Sequence, residues 1–542
     1  MNTVRSENGG HSHMNLRHPL KKRSAVSQAA TAALLLVIPL LLSWNAAGEL
    51  KLPALFGDHM VIQADRAIPI WGWANPGEHI RISVNEKVWA RTRADDRGRW
   101  RTKISSCPKT GSRLEITVSG SKEQIVLRDV LAGEVWIGSG QSNMEWPVKL
   151  AINGDEETAA ANWPEIRLFM VKKKVSEHPL DDCEGEWKVC APDTVGDFSA
   201  VLYFFGRELH RQLHVPVGLI EAAWGGTPAE SWTSECTLQK SSLFKPILTR
   251  WADRMKRYPE DREAYEKALK AWKANVELAK AEDREAPPHP VEPWGPLHPY
   301  RPAGLYNGMI APIAPFACRG AIWYQGESNV DRAWQYRKLF PAMIRDWRCL
   351  WQQGDFPFYF VQLANFMKQK AEPGPSTWAK LREAQAMTCS LRNTGMAVAI
   401  DIGDAEDIHP RNKQEVGRRL ALIALSRDYC RNLEYSGPMF KKAYVRSGAI
   451  QITFSHDSSG LTTPDGAPLK GFAVAGRDRK FYWADAKIVG HRVVVSTPKV
   501  PHPVAVRYAW ADNPECNLIN GAGLPAAPFR SDDWPELTFG KR

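Results

Sequence analysis

Hydrophobic and polar residues alternate in short runs near both ends of the chain. Between residues 49 and 130, runs such as IPIWGW and HIRISV are separated by turn residues. From about residue 431 the same alternation of hydrophobic and polar residues returns, in runs such as AIQITFS and RVVVST. A period of two, interrupted by turns, is typical of half-buried antiparallel strands. We therefore predict an N-terminal β-domain over 49–130 and a C-terminal β-sandwich-like module over 431–542.

Residues 131–430 show a different pattern, in which short apolar runs alternate with amphipathic helical segments. Runs such as EVWIGSG, VGLIEAAW and GAIWY alternate with helical stretches such as WQYRKLFPAMIRDWRCLW. This alternation predicts an α/β domain with a mainly parallel sheet. An insertion at about 240–300 is charged and helical, and it ends in a Pro-rich stretch. We interpret it as a solvated helical hairpin with an extended return rather than as a binding element.

A leader precedes the first β-run. A basic run, KKR at 21–23, is followed by an apolar stretch over 29–44 and by the small residues NAAG at 45–48. These are the features of a secretory signal peptide, so we predict a signal peptide over 1–48 and an exported protein, periplasmic or extracellular. The stretch is shorter than the ~20 residues that span a bilayer, although an uncleaved anchor is the alternative. No later segment is apolar enough to predict an integral membrane helix.

Composition excludes several classes of protein. Charged residues make up 24% of the 542 positions and hydrophobic residues 44%, values that exclude a disordered, collagenous or coiled-coil chain. The net charge is +11, but part of it lies in the leader and the rest forms no basic stripe, so we predict no nucleic-acid partner. The nine cysteines contain no CxxC pair, which argues against a zinc site, although Cys183 and Cys190 are close enough to bridge a loop.

The side chains that are candidates for catalysis lie in loops at the ends of the predicted parallel strands. In an open α/β sheet, functional sites form in the crevice beyond the carboxyl ends of the strands. Four loops at such ends carry the Ser, amide, carboxylate and His side chains that an acyl-transfer site requires. They cover residues 139–144, 225–232, 325–329 and 405–410.

Ser142 is the candidate nucleophile and His409 the candidate base. The glycine at 140 permits a tight strand-to-loop turn that exposes the Ser142 hydroxyl, although no GxSxG sequence indicates an ordinary α/β-hydrolase elbow. His409 precedes Pro410, and Pro at a first helical position places His409 near the N-cap of a helix over about 411–425. An imidazole with a pKa near ~6.5 can accept the serine proton and return it.

Several residues could supply the carboxylate that completes a catalytic triad with Ser142 and His409, and several groups could donate hydrogen bonds to an oxyanion. Asp407 and Glu406 stand two and three positions before His409, and Glu327 lies in another loop. Each of these carboxylates can hold the imidazole tautomer and stabilise the imidazolium. Oxyanion donors can be backbone N–H groups or side-chain amides. The candidates are Gly225, Gly226, Gln325 and Asn329.

Four sequence blocks resemble the bacterial sialate O-acetylesterases, a family of SGNH-type hydrolases. They are GQSNM at 140–144, WGGTPAESW at 224–232, WYQGESN at 323–329 and DIHP at 407–410. The resemblance extends over almost everything after the leader. It implies a flavodoxin-like three-layer α/β/α SGNH-type hydrolase domain over 131–430 that needs no cofactor. It also implies a serine esterase that removes O-acetyl groups from sialic acid or a related acetylated sugar.

Carried over by position, the resemblance assigns roles to individual residues. It makes Ser142 the nucleophile and His409 the base, and it matches Gly225, Gly226 and Gln325 to the oxyanion blocks. The wider SGNH pattern has Asp three positions before the histidine, where this chain has a glutamate. We therefore predict a triad completed by Asp407, which follows that glutamate, with a Ser-His dyad as the alternative.

Two other functions fit the same sequence. An acetylxylan-type polysaccharide esterase would apply the same chemistry to another sugar. A non-catalytic carbohydrate-binding protein would retain the β-modules and many of the 22 tryptophans around a degenerate central domain. A sialate substrate favours an arginine that pairs with its carboxylate. The candidates are Arg301, Arg319, Arg332 and Arg411. The sequence does not indicate an oligomeric state.

Overall fold

The structure is a computed structural model that describes residues 49–105, 108–535 and 537–542. The predicted signal peptide and Cys107 lie outside these residues. The fold is mixed α/β, as predicted, with a large central sheet and additional β-sheets toward both ends of the chain. Within the described ranges, every helix is too short or too polar to cross a bilayer.

The N-terminal region is built from strands, and its described residues up to 130 form no helix. Alternate residues of the third strand, Ile80, Ile82 and Val84, are buried, which confirms the period of two. Strands β2 and β5 pair antiparallel, as do β6 and β7, whereas β1 pairs in parallel with β7. The strands are β1 (Val61–Gln63), β2 (Ile68–Trp73), β3 (His79–Val84), β4 (Lys87–Arg93), β5 (Arg99–Ile104), β6 (Arg113–Ser119) and β7 (Gln124–Gly140).

The central sheet has the strand order β13-β12-β11-β7-β10-β8-β9. All of these strands pair in parallel except the edge pair β8–β9. Strands β10 to β13 are buried along their whole length, which explains their continuous apolar runs. The strands after β7 are β8 (Trp163–Met170), β9 (Trp187–Cys190), β10 (Val217–Ala223), β11 (Gly320–Tyr324), β12 (Phe358–Gln362) and β13 (Thr394–Val398).

Strand β7 belongs to two sheets. Its first part, residues 124–131, pairs antiparallel with β6 of the N-terminal sheet. Its second part, residues 134–140, pairs in parallel with β10, and residues 136–140 also pair with β11. One continuous strand therefore connects the N-terminal sheet to the carboxyl-end crevice of the central sheet.

Helices pack on the central sheet through their apolar faces. Helix α4 contacts α9 and strand β10, while α8 contacts α7 and strands β12 and β13. Several tryptophans near the sequence blocks are core residues, because Trp136, Trp232 and Trp323 are fully buried. The helices are α1 (Ser142–Glu145), α2 (Gly154–Ala159), α3 (Pro192–Val195), α4 (Ala200–Leu213), α5 (Glu235–Gln239), α6 (Lys245–Ala281), α7 (Ala333–Trp351), α8 (Thr377–Thr388) and α9 (Lys413–Arg427).

The insertion differs from its prediction. It contains one long helix, α6, rather than a helical hairpin, and the chain returns in an extended conformation. The Pro-rich composition of the return accounts for the difference, because proline removes helical hydrogen-bond donors. The return is held against α6 by the Trp272 indole, which donates to the Pro287 carbonyl at 2.8 Å, and by an Arg262–Glu292 ion pair at 2.6 Å.

The C-terminal region forms antiparallel sheets with the orders β14-β15-β20-β19 and β18-β17-β21-β23, and β16 pairs with β22. Arg382 of α8 joins this region to the central one, because its buried guanidinium donates to the Ala511 and Asp512 carbonyls. The strands are β14 (Met439–Arg446), β15 (Ala449–Ser455), β16 (Leu461–Thr462), β17 (Phe472–Ala475), β18 (Phe481–Trp483), β19 (Asp485–Val489), β20 (Arg492–Ser496), β21 (Ala505–Tyr508), β22 (Ile519–Asn520) and β23 (Phe529–Arg530).

The described cysteines form no disulfide with one another. Cys183 and Cys190 are both free, although their spacing permitted a bridge. Burial raises the pKa of each of these two thiols to about 12, so both remain protonated and unreactive at neutral pH.

Candidate active site

The loop over residues 139–144 carries the candidate nucleophile Ser142, and we call it the nucleophile loop. It leaves the central sheet at the carboxyl end of β7. Gly140 has a φ of 141°, and a Cβ at this position would lie 2.1 Å from the carbonyl oxygen of Tyr324 on β11. Only glycine fits this contact. The Gln141 backbone N–H donates to the same carbonyl at 3.0 Å, and the Gln141 side chain accepts from the Gly326 N–H at 3.2 Å. The strand ends therefore pack tightly, and the chain turns so that Ser142 begins α1.

His409 meets Ser142 at hydrogen-bonding distance. The imidazole Nε2 lies 2.9 Å from the Ser142 Oγ, although the two residues are 267 positions apart in the chain. Trp146 stacks on the imidazole with ring centroids 5.0 Å apart and an interplanar angle of 19°. The structure thus brings the two principal predicted residues together in the geometry that proton transfer requires.

The predicted start of the following helix is wrong by two residues. Helix α9 begins at Lys413 rather than at 411, and its N-cap is Asn412. The Asn412 side chain accepts the Glu415 N–H at 3.1 Å, and asparagine is among the best N-cap residues. His409 therefore lies in the preceding loop, where ring stacking rather than a helix turn holds it.

Asp407 is the candidate acid that contacts the imidazole. Its Oδ1 lies 3.2 Å from the His409 Nδ1 and also accepts the His409 backbone N–H at 2.8 Å. The Asp407 side chain is 49% exposed, so water screens its charge. Glu406 is exposed as well. Glu327 is partly buried and accepts a hydrogen bond from Asn143 at 2.7 Å.

The predicted backbone donors for an oxyanion differ in what they already bind. The Gly225 N–H donates to the Glu145 carboxylate at 2.5 Å, so it is not free to bind a substrate oxygen. In the described part of the chain, no acceptor pairs with the backbone N–H of Ser142 or of Gly226. Gly226 has a φ of 74°, the left-handed conformation that glycine adopts most readily. The geometry therefore supports Ser142 and Gly226 as donors and does not support Gly225.

The predicted side-chain donors form a buried polar unit instead. The Gln325 amide donates to the Asn329 Oδ1 at 2.7 Å and to the Thr227 carbonyl at 3.3 Å. The Asn329 amide donates to the Glu230 carboxylate at 2.9 Å. Both hydrogens of the Gln325 amide thus have protein acceptors, which leaves none for an oxyanion. The contacts instead fix the turn at Gly225 and Gly226, which we call the glycine turn, against the loop that follows β11.

A second polar cluster, which sequence reasoning missed, lies behind Ser142. The Asn143 Nδ2 donates to Glu327 at 2.7 Å and to the Ile408 carbonyl at 3.1 Å, and Lys413 donates to the Asn143 Oδ1. Asn143 follows Ser142 and Ile408 precedes His409. The Asn143 amide therefore joins the two loops that carry the candidate nucleophile and the candidate base. Its partners lie 184 or more positions away, so no local signal pointed to them.

Burial changes the protonation of this cluster. The loss of water lowers the pKa of Lys413 to about 7 and raises the pKa of Glu327. The Glu327 Oε2 has no hydrogen-bond partner within the described residues. The charged form of each side chain is therefore disfavoured behind the candidate active site.

We expect Lys413 to make the stability of the protein depend on pH. Its pKa falls from 10.5 to about 7 on folding, so the unfolded state binds more protons between these values. The contribution of Lys413 to the free energy of unfolding should therefore rise with pH across this window, by up to ~1.4 kcal/mol per pH unit, and its cost is fully present below pH 7. Lys413→Met should remove this contribution in urea denaturation at pH 7 to 10. Lys273→Met, at an exposed position of α6, should keep it. Equal slopes in both variants would contradict the assignment.

Two cavities flank the nucleophile loop. One, of about 640 Å³, is lined by Ser142 and Trp146. Its lysines are all ion-paired, in the pairs Lys149–Asp197, Lys172–Glu184 and Lys173–Glu145. The other, of about 310 Å³, lies beyond the glycine turn and is lined in part by α6. We call it the insertion cavity.

The four predicted arginines differ in position. Arg332 lines the insertion cavity and pairs with Glu230 at 2.7 Å. The other three do not line either cavity and already have partners. Arg301 pairs with Glu177, Arg319 pairs with Glu134, and Arg411 donates to the Leu150 carbonyl.

Known proteins resemble this chain over most of its length. A family model described as carbohydrate esterase, sialic acid-specific acetylesterase, matches residues 132–273 and 293–426, which include all four loops. Sialate O-acetylesterase of Mus musculus is 28% identical over 549 residues, covering 93% of this chain and 98% of that protein. The Homo sapiens protein of the same name is 28% identical over 544 residues, covering 91% and 95%. The crystal structure of a carbohydrate acetylesterase from Xanthomonas citri superposes with a TM-score of 0.77 at 38% identity, covering 90% of this chain and 100% of the other.

Proposed function

Since this chain belongs to the carbohydrate esterase family of sialic acid-specific acetylesterases, we propose that it removes O-acetyl groups from sialic acid or a related acetylated sugar through an acyl-enzyme on Ser142. Family membership makes the chain a carboxylic ester hydrolase and argues against a non-catalytic carbohydrate-binding protein. The observation that carries the mechanism is the 2.9 Å contact between the His409 Nε2 and the Ser142 Oγ.

Acylation begins when His409 accepts the hydroxyl proton of Ser142. The Ser142 Oγ attacks the acetyl carbonyl, and the oxyanion that forms is bound by the backbone N–H groups of Ser142 and Gly226. Gln325 supports these donors indirectly, because it holds the glycine turn in place. His409 then donates its proton to the departing sugar hydroxyl, which leaves an acetyl ester on Ser142.

Deacylation repeats the sequence with water as the nucleophile. His409 accepts a proton from the water, which attacks the acetyl ester, and then returns the proton to the Ser142 Oγ as acetate leaves. Asp407 accepts the Nδ1–H of His409 in this scheme, so Nε2 faces the serine in its basic form. The triad is Ser142, His409 and Asp407.

We also propose that the central region is a flavodoxin-like three-layer SGNH-type domain. When the edge pair β8–β9 is set aside, the remaining strands β7, β10, β11, β12 and β13 have the order 2-1-3-4-5. This is the strand order of flavodoxin-like folds. The boundaries predicted at 130 and 430 and export by the leader belong to the same proposal, and the export rests on the sequence pattern alone.

A comparison of substrates tests the proposed function. We expect the protein to hydrolyse 4-nitrophenyl acetate and to release acetate from 9-O-acetyl-N-acetylneuraminate. Its kcat/KM on the sialate should be ~10-fold or more above that on acetyl-xylan, since a site built for one sugar discriminates by several contacts. The reverse preference would establish the polysaccharide esterase instead. Absence of acetate from all three substrates would refute the esterase mechanism.

A further inference from the structure

Helix α6 of the insertion forms one wall of the insertion cavity. Ile247, Arg250, Trp251 and Arg254 line it and follow the i, i+3, i+4, i+7 spacing of a single helix face. The extended return contributes Trp294 to the same cavity. The wall is therefore part of a shaped recess, although most of α6 is exposed to solvent.

The insertion cavity adjoins the nucleophile through the glycine turn. A Cβ at Gly225 would lie 3.4 Å from the Cβ of Ser142, and a Cβ at Gly226 would lie 3.3 Å from the hydroxyl of Tyr300, another lining residue. Ser328, which also lines the cavity, donates to the Gly226 carbonyl at 2.5 Å. A single turn of backbone thus separates the cavity from the attacking hydroxyl.

One cation of this cavity has no carboxylate partner in the residues that the structure describes. This cation is Arg254, which lies over the Trp294 ring, 3.9 Å from its centroid. The Arg250 guanidinium donates to the backbone oxygen of Arg542, the last residue of the given sequence, at 2.7 Å. Arg332 is the third cation, and it is already paired with the cavity's Glu230. Burial and the neighbouring Arg332 lower the pKa of Arg250, while the Glu230 carboxylate acts in the opposite direction.

The larger cavity does not offer this chemistry. Its three lysines are each paired with a carboxylate, so an acidic ligand there would compete with existing ion pairs. Of the two cavities, the insertion cavity is therefore the one whose described residues include a cation without a carboxylate partner, namely Arg254.

We propose that the insertion cavity binds the carboxylate of an acidic sugar, with Arg254 as its donor and the ring of Trp251 against the sugar. The proposal rests on the proposed function and names the substrate class of the same site. Guanidinium groups bind carboxylates through paired, charge-assisted hydrogen bonds, and aromatic rings provide apolar faces beside them. Two classes of sugar carry this carboxylate, namely sialic acids and uronic acids. The insertion is therefore a binding element, contrary to the interpretation from its sequence.

Arg254→Gln tests the proposal, with Arg257→Gln as the matched control. Arg257 lies on the same helix, is exposed and does not line the cavity. The readout is the ratio of kcat/KM for 9-O-acetyl-N-acetylneuraminate to kcat/KM for its methyl ester, which lacks the negative charge. We expect this ratio to fall ~10- to 100-fold in Arg254→Gln, because a charge-assisted hydrogen bond is lost, and to be unchanged in Arg257→Gln. Equal losses on the acid and the ester, or no loss, would overturn the proposal.

Two further measurements separate the proposal from the esterase mechanism. Binding of free N-acetylneuraminate and of free galacturonate, followed by NMR titration, needs no turnover and distinguishes the two sources of carboxylate. We expect one of them to bind the wild type and to bind Arg254→Gln at least ~10-fold more weakly. If neither acid binds while 4-nitrophenyl acetate is hydrolysed, the cavity proposal fails and the esterase mechanism survives. If an acid binds but no substrate is hydrolysed, the esterase mechanism fails and the cavity proposal survives.

Discussion

Replacement of Ser142 by alanine is expected to lower kcat for 4-nitrophenyl acetate by ~10⁴-fold or more. The Ser142 Oγ lies 2.9 Å from the His409 Nε2, and its loss removes the atom that forms the acyl-enzyme. Losses of this size are typical when a serine nucleophile is removed, with the remaining rate due to oxyanion donors and binding. Steady-state kinetics and mass spectrometry of the trapped acetyl-enzyme measure the two consequences.

The control for this variant is Ser390→Ala. Ser390 is exposed at the end of α8, and its hydroxyl donates to the Met387 carbonyl. We expect its kcat to match that of the wild type, and both variants should show unchanged thermal unfolding because neither serine is in the core. An acetyl adduct that persists in Ser142→Ala would disprove the assignment of the nucleophile.

The second large effect is expected for Asp407→Asn, which should lower kcat by ~10² to 10⁴-fold. The substitution keeps the shape of the side chain but removes the charge that stabilises the imidazolium and selects its tautomer. The lower half of this range is favoured, because Asp407 is 49% exposed and its Oδ1 lies 3.2 Å from the imidazole Nδ1. The pH dependence of kcat/KM measures the change in the base.

Glu406→Gln is the matched control, since it alters the neighbouring carboxylate in the same loop. Its kcat should remain within ~2-fold of the wild type, as expected for an exposed carboxylate whose charge water screens. A loss of only a few-fold in Asp407→Asn would favour the Ser-His dyad. A larger loss in Glu406→Gln than in Asp407→Asn would transfer the role of the acid to Glu406.

The parts of the site that could be predicted depend on backbone topology. Parallel strands bring their carboxyl ends to one edge, so loops that follow separate apolar runs were expected to converge. Ser142 and His409 lie in two such loops and meet at 2.9 Å. Gly140 was expected to permit a tight turn, and the contact with the Tyr324 carbonyl shows why no other residue fits.

The parts that could not be predicted depend on side-chain partners distant in the sequence. Gln325 has the right chemistry for an oxyanion donor, but its amide hydrogens bind Thr227 and Asn329. Asn143 contacts Ile408 and Glu327, and nothing in its own neighbourhood indicates these residues. Hydrogen-bond donors can be listed from a sequence, but their availability is determined only by tertiary packing.

The insertion shows the same limit in another form. Its helix is mostly charged, so the narrow face that includes Trp251 and Arg254 does not stand out from the solvated positions around it. The helical content was correct, whereas the hairpin, which was inferred from average polarity, was wrong. A face that borders a small recess needs only a few residues, and composition averages over them.

Strand β7 pairs with strands of both the N-terminal and the central sheet, and this limits where the chain can be divided to make chimaeras or truncations. A graft or deletion that ends at residue 130 would divide the strand in its middle and leave an open β-edge on the fragment that remains. The same strand ends at Gly140, next to the reactive hydroxyl. Exchange of the first module between homologues therefore has to include the whole of β7, as far as the loop that carries Ser142.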